Sequence, residues 1–195
     1  MRFPTSNVPI FPLSAVLFPD GVLSLKIFET RYLDMVSRCL KQDVPFGVCM
    51  IVDGHEVGKA ASCYQIGTLA KIINWGQTAD GVLEIEAMGC QRFKMLDNQT
   101  SKQELITANI QLLADIPSIP VPDELVTLTG MLRNVLSKNK HADAIDDKQF
   151  HDANWVGYRL TEVLPMESVI RQRLLEIDDP IERLHMILGL FTNRQ

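Results

Sequence analysis

The sequence predicts an α+β protein with a β-rich lobe, curled into a sheet or small barrel around one embedded helix, and then a C-terminal helical bundle. Three observations predict it. Short apolar runs separated by Gly and Asp-Gly turns continue to about Leu113. Pro117, Pro120 and Pro122 then form an extended linker, because proline lacks the N–H that a strand ladder needs. Beyond them the apolar spacing changes to that of helices. The predicted boundary divides the chain into 1–116 and 117–195.

Val22 to Ile27 alternates in part, as a half-buried strand does. After Thr30, read as an N-cap, apolar residues fall at Tyr32, Met35, Val36, Cys39 and Leu40. This is the spacing of a helix with one buried stripe, and Arg31, Asp34, Arg38 and Lys41 are placed on its other face. Phe46 to Val52 is a continuous apolar run, expected of a strand covered on both faces, and it ends at the turn dipeptide Asp53-Gly54. Tyr64 to Trp75 is a longer strand in which Gly67 marks a bulge or a close backbone approach. Asp80-Gly81 turns the chain into Val82–Met88, with Leu83, Ile85 and Ala87 on one face and Glu84 and Glu86 on the other. Arg92–Leu96 reads as a further strand after Gly89, and Leu105–Leu113 as another.

In the second half, Leu125, Leu128, Leu132 and Val135 share one helix face. Lys140 to Asp147, with Asp143 and Asp146, is polar and reads as an exposed loop. A second helix is expected over roughly Lys148 to Leu164, broken by Pro165, with Trp155 in the bundle core. Val169, Ile170 and Leu174 mark a third. Asp179-Pro180-Ile181-Glu182 is a helix start, with Asp as N-cap and Pro at the first helical position, and Leu184, Ile187, Leu188 and Phe191 follow as its apolar face.

Composition narrows the function. Of 195 residues, 46% are apolar, enough for a core, and the net charge is −5. An acidic balance does not attract phosphate backbones, so no nucleic-acid partner is expected. Cys39, Cys49, Cys63 and Cys90 form no Cys-x-x-Cys pair and the four histidines are scattered, so neither a metal nor another cofactor is expected and the thiols read as buried and reduced. No signal peptide and no apolar run of about 20 residues is present, which predicts a cytoplasmic protein without a membrane partner.

Catalytic motifs are weak. Gly54-His55-Glu56-Val57-Gly58-Lys59-Ala60 has three residues between its glycines where a phosphate loop has four, and Ala60 where Ser or Thr would reach magnesium. It reads as a charged surface loop. Ser14, Ser24 and Ser62 lack a Gly-x-Ser-x-Gly elbow, and a Cys63–His55 pair is one arbitrary choice among many. No catalytic residue is assigned. Glu29 complements the helix dipole, and Arg31 could pair with it or with Glu56, fixing the helix against the barrel. The functional alternative is that Phe28, Glu29, Arg31 and Tyr32 border a polypeptide-binding surface, with Trp75 and Gln77 near the hairpin tip as a second contact.

The opening residues Pro12, Leu13, Phe18, Pro19, Leu25, Ile27, Phe28, Glu29, Arg31 and Tyr32 resemble the signature of the Lon protease N-terminal, substrate-binding domain family. The resemblance continues through Phe46-Gly47-Val48, the loop Gly54–Gly58, Ile66-Gly67-Thr68-Leu69-Ala70, Asp80-Gly81 and Gly89-x-x-Arg92-Phe93. In the helical half it is carried by Gln172, Leu174-Leu175-Glu176 and Arg183-Leu184. It implies a β-rich lobe related to PUA-like barrels followed by a helical bundle. In full-length Lon-type proteases this region captures unfolded or degron-bearing polypeptides and helps assemble the hexamer, ahead of an ATPase and a Ser-Lys peptidase. The residues up to Gln195 are too few to hold those modules, so neither activity is expected of them.

The expected function is therefore a standalone, non-catalytic module that binds unfolded or motif-bearing polypeptides, or a protein partner, as an adaptor in protein quality control or proteolysis. Weak homo-oligomerisation is compatible with it. Binding would use an apolar groove between lobes or a free strand edge. The alternatives are a small hydrolase using the inter-lobe cleft and a PUA-like RNA-binding module, the latter opposed by the acidic balance.

Overall fold

The computed structural model describes residues 3–138 and 145–192 and divides into two compact units, Met1–Ala114 and Asp115–Gln195. The first is a mixed sheet with one helix: β1 (Val8–Leu13), β2 (Val22–Ile27), α1 (Thr30–Gln42), β3 (Phe46–Asp53), β4 (Ser62–Cys63), β5 (Ile66–Gln77), β6 (Leu83–Thr100) and β7 (Ile106–Leu112). β1 pairs antiparallel with β7 on one side and parallel with β3 on the other. Because β7 pairs with β6, β6 with β5 and β5 with β3, these five strands close into a ring. Closure satisfies both edges of β1, which is why Val8 to Leu13 is buried throughout.

β6 is one strand of 18 residues where the sequence predicted two. Gly89 was expected to break it. Instead the Gly89 N–H donates to Gly21 O at 2.8 Å and its carbonyl accepts from Asp20 N at 2.8 Å, so the ladder continues. The missing side chain serves a close approach, since a Cβ here would collide with the Phe18 carbonyl. Gly67 has the same use against the Val48 carbonyl and the Cys49 sulfur. The length of β6 lets it serve two neighbours on one side: its first half pairs with β2 and its second half with β7.

Inside this unit Phe11, Leu13, Ile27, Phe46, Ile85 and Ala87 pack against Tyr32, Met35, Val36 and Cys39 of α1. A second cluster, including Ile10, Leu69, Phe93 and Ile110, fills the rest of the interior. Two details of α1 differ from the sequence reading. The N-cap is Glu29, in extended geometry, and Thr30 is the first helical residue. Arg31, placed on the solvent face by periodicity, is buried, because its charge is met by hydrogen-bond acceptors rather than by water. β3 is covered only as far as Met50, and Val52 lies 58% exposed.

The second unit is helical: α2 (Val126–Leu136), α3 (Ala153–Val163), α4 (Ser168–Glu176) and α5 (Pro180–Thr192), with 3-10 turns at Asp123–Leu125 and Asp147–His151. The helix expected from Lys148 is divided, because Asp152 takes up extended geometry and its side chain caps α3 by accepting from Asn154 N at 2.8 Å. Asp179 likewise accepts from Ile181 N at 2.8 Å, and Pro180 opens α5. Most of the predicted loop Lys140–Asp147, including Asp143, lies outside the described residues. Leu125, Leu128, Leu132, Val156, Leu160, Leu184 and Ile187 form the core, with Trp155 half-buried and edge-on to Phe150 at 5.1 Å. Arg183 is fully buried among them. It donates to Leu174 O at 2.9 Å, Asn154 Oδ1 at 2.8 Å, Tyr158 Oη at 3.3 Å and the Ile177 carbonyl, which ties α3, α4 and α5 together.

Candidate functional site

The chemistry of the first unit gathers where β2 runs into α1. Phe28 and Glu29 occupy the two-residue junction between them. Phe28 points into solvent, 61% exposed, which an aromatic ring does only at a cost. Glu29 is fixed instead: its carboxylate accepts from the Arg31 guanidinium at 3.1 Å and from Gly58 N at 3.3 Å. Arg31 also donates to Glu104 O at 2.7 Å and Glu56 O at 3.4 Å, and lies 4.5 Å from the centroid of the Tyr32 ring. Arg31 thus joins the loop after β3 and the β6–β7 turn to the start of α1. Its partner on Glu56 is the main chain, not the carboxylate that the sequence offered. The Glu56 carboxylate accepts from Ser14 N at 2.6 Å.

In front of this cluster lies a groove of about 290 Å³ lined by Phe11, Leu13, Phe28, Tyr32 and Val57, with Ser24, Leu25, Lys26, Glu29 and Glu56 also bordering it. Phe11 and Tyr32 stack with ring centroids 4.1 Å apart and make its floor. Burial pushes the Tyr32 hydroxyl up to about 12, with the Glu29 and Glu56 charges adding to the shift against Arg31, so it stays a neutral hydrogen-bonding group. Val57, which also lines the groove, is 55% exposed. Consecutive strand residues alternate faces, so a groove touching Ser24, Leu25 and Lys26 in succession borders the edge of β2 as well as its side chains. Among the described residues β2 pairs only with β6, which leaves that edge open.

Of the six residues singled out from sequence, Phe28, Glu29 and Tyr32 line this groove and Arg31 sits behind it, supporting the walls. Trp75 and Gln77 lie elsewhere, on β5. They border a separate depression of about 230 Å³ with Asn74, Glu84 and Glu86. Trp75 is 62% exposed there. Ser24 borders both hollows, because β2, β6 and β5 run side by side through the pairs Leu25–Ile85 and Ile85–Trp75. Sequence reasoning did not place Phe11, Leu13, Ser24, Lys26 or Val57 at the site. Exposure of Val57 within a polar loop was the available signal.

The arrangement offers little to a nucleophilic mechanism. Burial pushes the Cys63 and Cys39 thiols up to about 11 and raises those of Cys49 and Cys90 as well, so all four are held protonated. Cys63 Sγ faces Ala61 O at 3.9 Å, and His55 is exposed. Among the described residues no group of three or more His, Cys, Asp or Glu side chains could hold a metal ion, and no helix is long and apolar enough to cross a membrane.

The first unit is thus a closed ring of five strands with an apolar groove beside the start of its helix. The family model of the ATP-dependent protease La (LON) substrate-binding domain matches residues 7–193, and the chain belongs to that family. A Lon N-terminal domain protein from Xanthomonas campestris, whose crystal structure is known, superposes with a TM-score of 0.77 at 31% identity, covering 93% of this chain and 96% of that one. The Lon protease of Cytophaga hutchinsonii is 27% identical over 97% of this chain, and 24% of that protein is covered. A Schizosaccharomyces pombe protein, LON peptidase N-terminal domain and RING finger protein C14F5.10c, is 24% identical over 97% of this chain and 46% of its own length. The chain therefore spans about a quarter of one of these curated relatives and about half of the other.

Proposed function

We propose that this protein is a non-catalytic polypeptide-binding module of the cytoplasm, an adaptor in protein quality control or proteolysis, and that the groove beside Phe28 is its binding site. The observation that carries this is the groove itself: exposed Phe28 and Val57 line it together with the stacked pair Phe11 and Tyr32. Exposed apolar side chains converging on a concave surface gain by covering one another with a ligand's side chains. Membership of a substrate-binding domain family supports a polypeptide as that ligand. The five-strand ring supports kinship with PUA-like barrels. In this reading 1–116 is the binding lobe and 117–195 a helical subdomain, Tyr32 and Phe28 touch the ligand, Glu29 and Arg31 hold the walls, and Trp75 with Gln77 gives a second contact for longer segments.

The test is fluorescence anisotropy with a labelled, reduced and alkylated disulfide protein that cannot fold. Saturable binding is expected without nucleotide or metal. Phe28→Asp and Val57→Asp should each weaken it by about tenfold, the effect of removing an interfacial anchor. Binding unchanged by both substitutions would remove the groove from the function.

A further inference from the structure

We propose that Asp53 is a site of spontaneous isoaspartate formation, the one Asp-Gly pair of this chain that the fold leaves free to react, and that the change is felt in the loop bordering the groove. Three Asp-Gly pairs occur, Asp20-Gly21, Asp53-Gly54 and Asp80-Gly81. In such a pair the glycine nitrogen can attack the aspartate Cγ, because no glycine side chain stands in the way. An N–Cγ bond forms, the carboxyl hydroxyl leaves as water with the proton of the glycine N–H, and a five-membered succinimide results. Water then adds back at one of the two ring carbonyls. Opening at the former main-chain carbonyl leaves the chain running through Cγ, with the α-carboxylate as the side group. No mass is gained or lost, and no other reactant is needed.

Closure requires rotation about the aspartate Cα–C bond, which carries the glycine nitrogen onto Cγ. A hydrogen bond from that N–H resists the rotation. Two of the pairs are held in this way. Gly21 is buried, its N–H donates to Phe18 O at 3.0 Å and its carbonyl accepts from Gly89 N at 2.8 Å, while Asp20 N donates to Gly89 O at 2.8 Å. Gly81 N donates to Thr78 O at 2.9 Å, inside a turn that Thr78 N closes on Val82 O at 2.9 Å.

Asp53-Gly54 is different. Both residues are exposed, and among the described residues the Gly54 N–H has no hydrogen-bond acceptor and the Asp53 carboxylate no partner. Asp53 ends β3 opposite Ser62 of the two-residue β4, and the register slips between Ile51 and Asp53. The Asp53 carbonyl, which the rotation must move, accepts from Ser62 Oγ at 3.4 Å, a long bond. The loop that begins here borders the groove. Val57 lines it, and Glu56 O and Gly58 N meet Arg31 and Glu29 at 3.4 and 3.3 Å. An isoaspartyl link lengthens the main chain ahead of them by one carbon.

The experiment incubates the full chain at neutral pH, folded and in urea. Isoaspartate at each pair is followed by peptide mapping with electron-transfer fragmentation, which tells the two isomers of equal mass apart. The rate in the folded protein divided by the rate in urea removes the effect of neighbouring sequence. This ratio should be at least about fivefold higher at Asp53 than at Asp20 or Asp80, the factor that one net hydrogen bond of about 1 kcal/mol is worth. Asp53→Glu should abolish the signal in that peptide, because glutamate would have to close a larger and slower ring. In the isoaspartate-bearing fraction, separated by chromatography, amide resonances of residues 56–60 should shift. A ratio at Asp53 equal to or below that of either other pair would overturn the proposal, as would isoaspartate at Asp53 in urea alone. Unshifted resonances at 56–60 would overturn its second half, the coupling to the groove. Neither result bears on polypeptide binding, which the anisotropy measurement tests separately.

Discussion

Arg31 and Glu104, far apart in the chain, meet where the Arg31 guanidinium donates to the Glu104 carbonyl at 2.7 Å. Glu104 is held in the left-handed region at φ 64°, and its carboxylate accepts from Ala60 N at 2.9 Å. One buried cation and one strained turn residue thus hold the floor and a wall of the groove in register. Arg31→Met should cost about 3 kcal/mol, because it leaves Glu29 and two carbonyls without their donor. Urea denaturation measures the loss. Hydrogen exchange should rise at Gly58 and Ala60 in the same variant.

The glycines separate into two kinds. Gly89→Ala and Gly67→Ala should each destabilise by about 3 kcal/mol, since a Cβ meets backbone carbonyls that have no room to move. Gly76→Ala meets nothing within 4 Å and should leave the denaturation midpoint unchanged or slightly raised. A similar loss from all three would contradict the close approaches described for β6 and β5.

Arg183 is the corresponding hub of the helical unit. Arg183→Met should cost about 3 kcal/mol by removing the buried donor to the Leu174 carbonyl and Asn154 Oδ1, whereas Tyr158→Phe, which gives up the hydroxyl that accepts from Arg183, should cost about 1 kcal/mol. Far-UV circular dichroism in denaturant distinguishes the two.

Alkaline stability follows from the raised groups. Tyr32 rises from 10.0 to about 12, and Cys39 and Cys63 from 9.0 to about 11. Between the unfolded and folded values the native state binds more protons than the unfolded chain, so stability falls as pH rises. It is complete below pH 9 and declines from there to about 12. The urea midpoint should drop across that window, and Tyr32→Phe should flatten its upper part.

Much of the fold was legible because it rests on local signals. The alternation of Val22–Ile27, the Asp80-Gly81 turn and the Asp179-Pro180 helix start each act over a few residues, and each stands where expected. Gly89 misled because a glycine admits either a break or a close neighbour, and only the Phe18 carbonyl decides between them. Arg31 misled because periodicity reports faces, not partners, and its acceptors on Glu56 and Glu104 are distant in sequence. The groove was half visible. Phe28 and Tyr32 stood out by their place at a strand-to-helix junction. Phe11, Leu13 and Val57 join them only through ring closure and loop placement, which no local pattern encodes.

The wedging of β1 between β3 and β7 has a consequence for synthesis. Val8 leaves the ribosome well before its antiparallel partner Ala108, which must be translated before the ring can shut. Pairing at such separation is slow, and nothing short of residue 112 completes it. Nascent chains stalled before β7 should therefore remain protease-sensitive across β1, however well the hairpin of β5 and β6 has formed behind it.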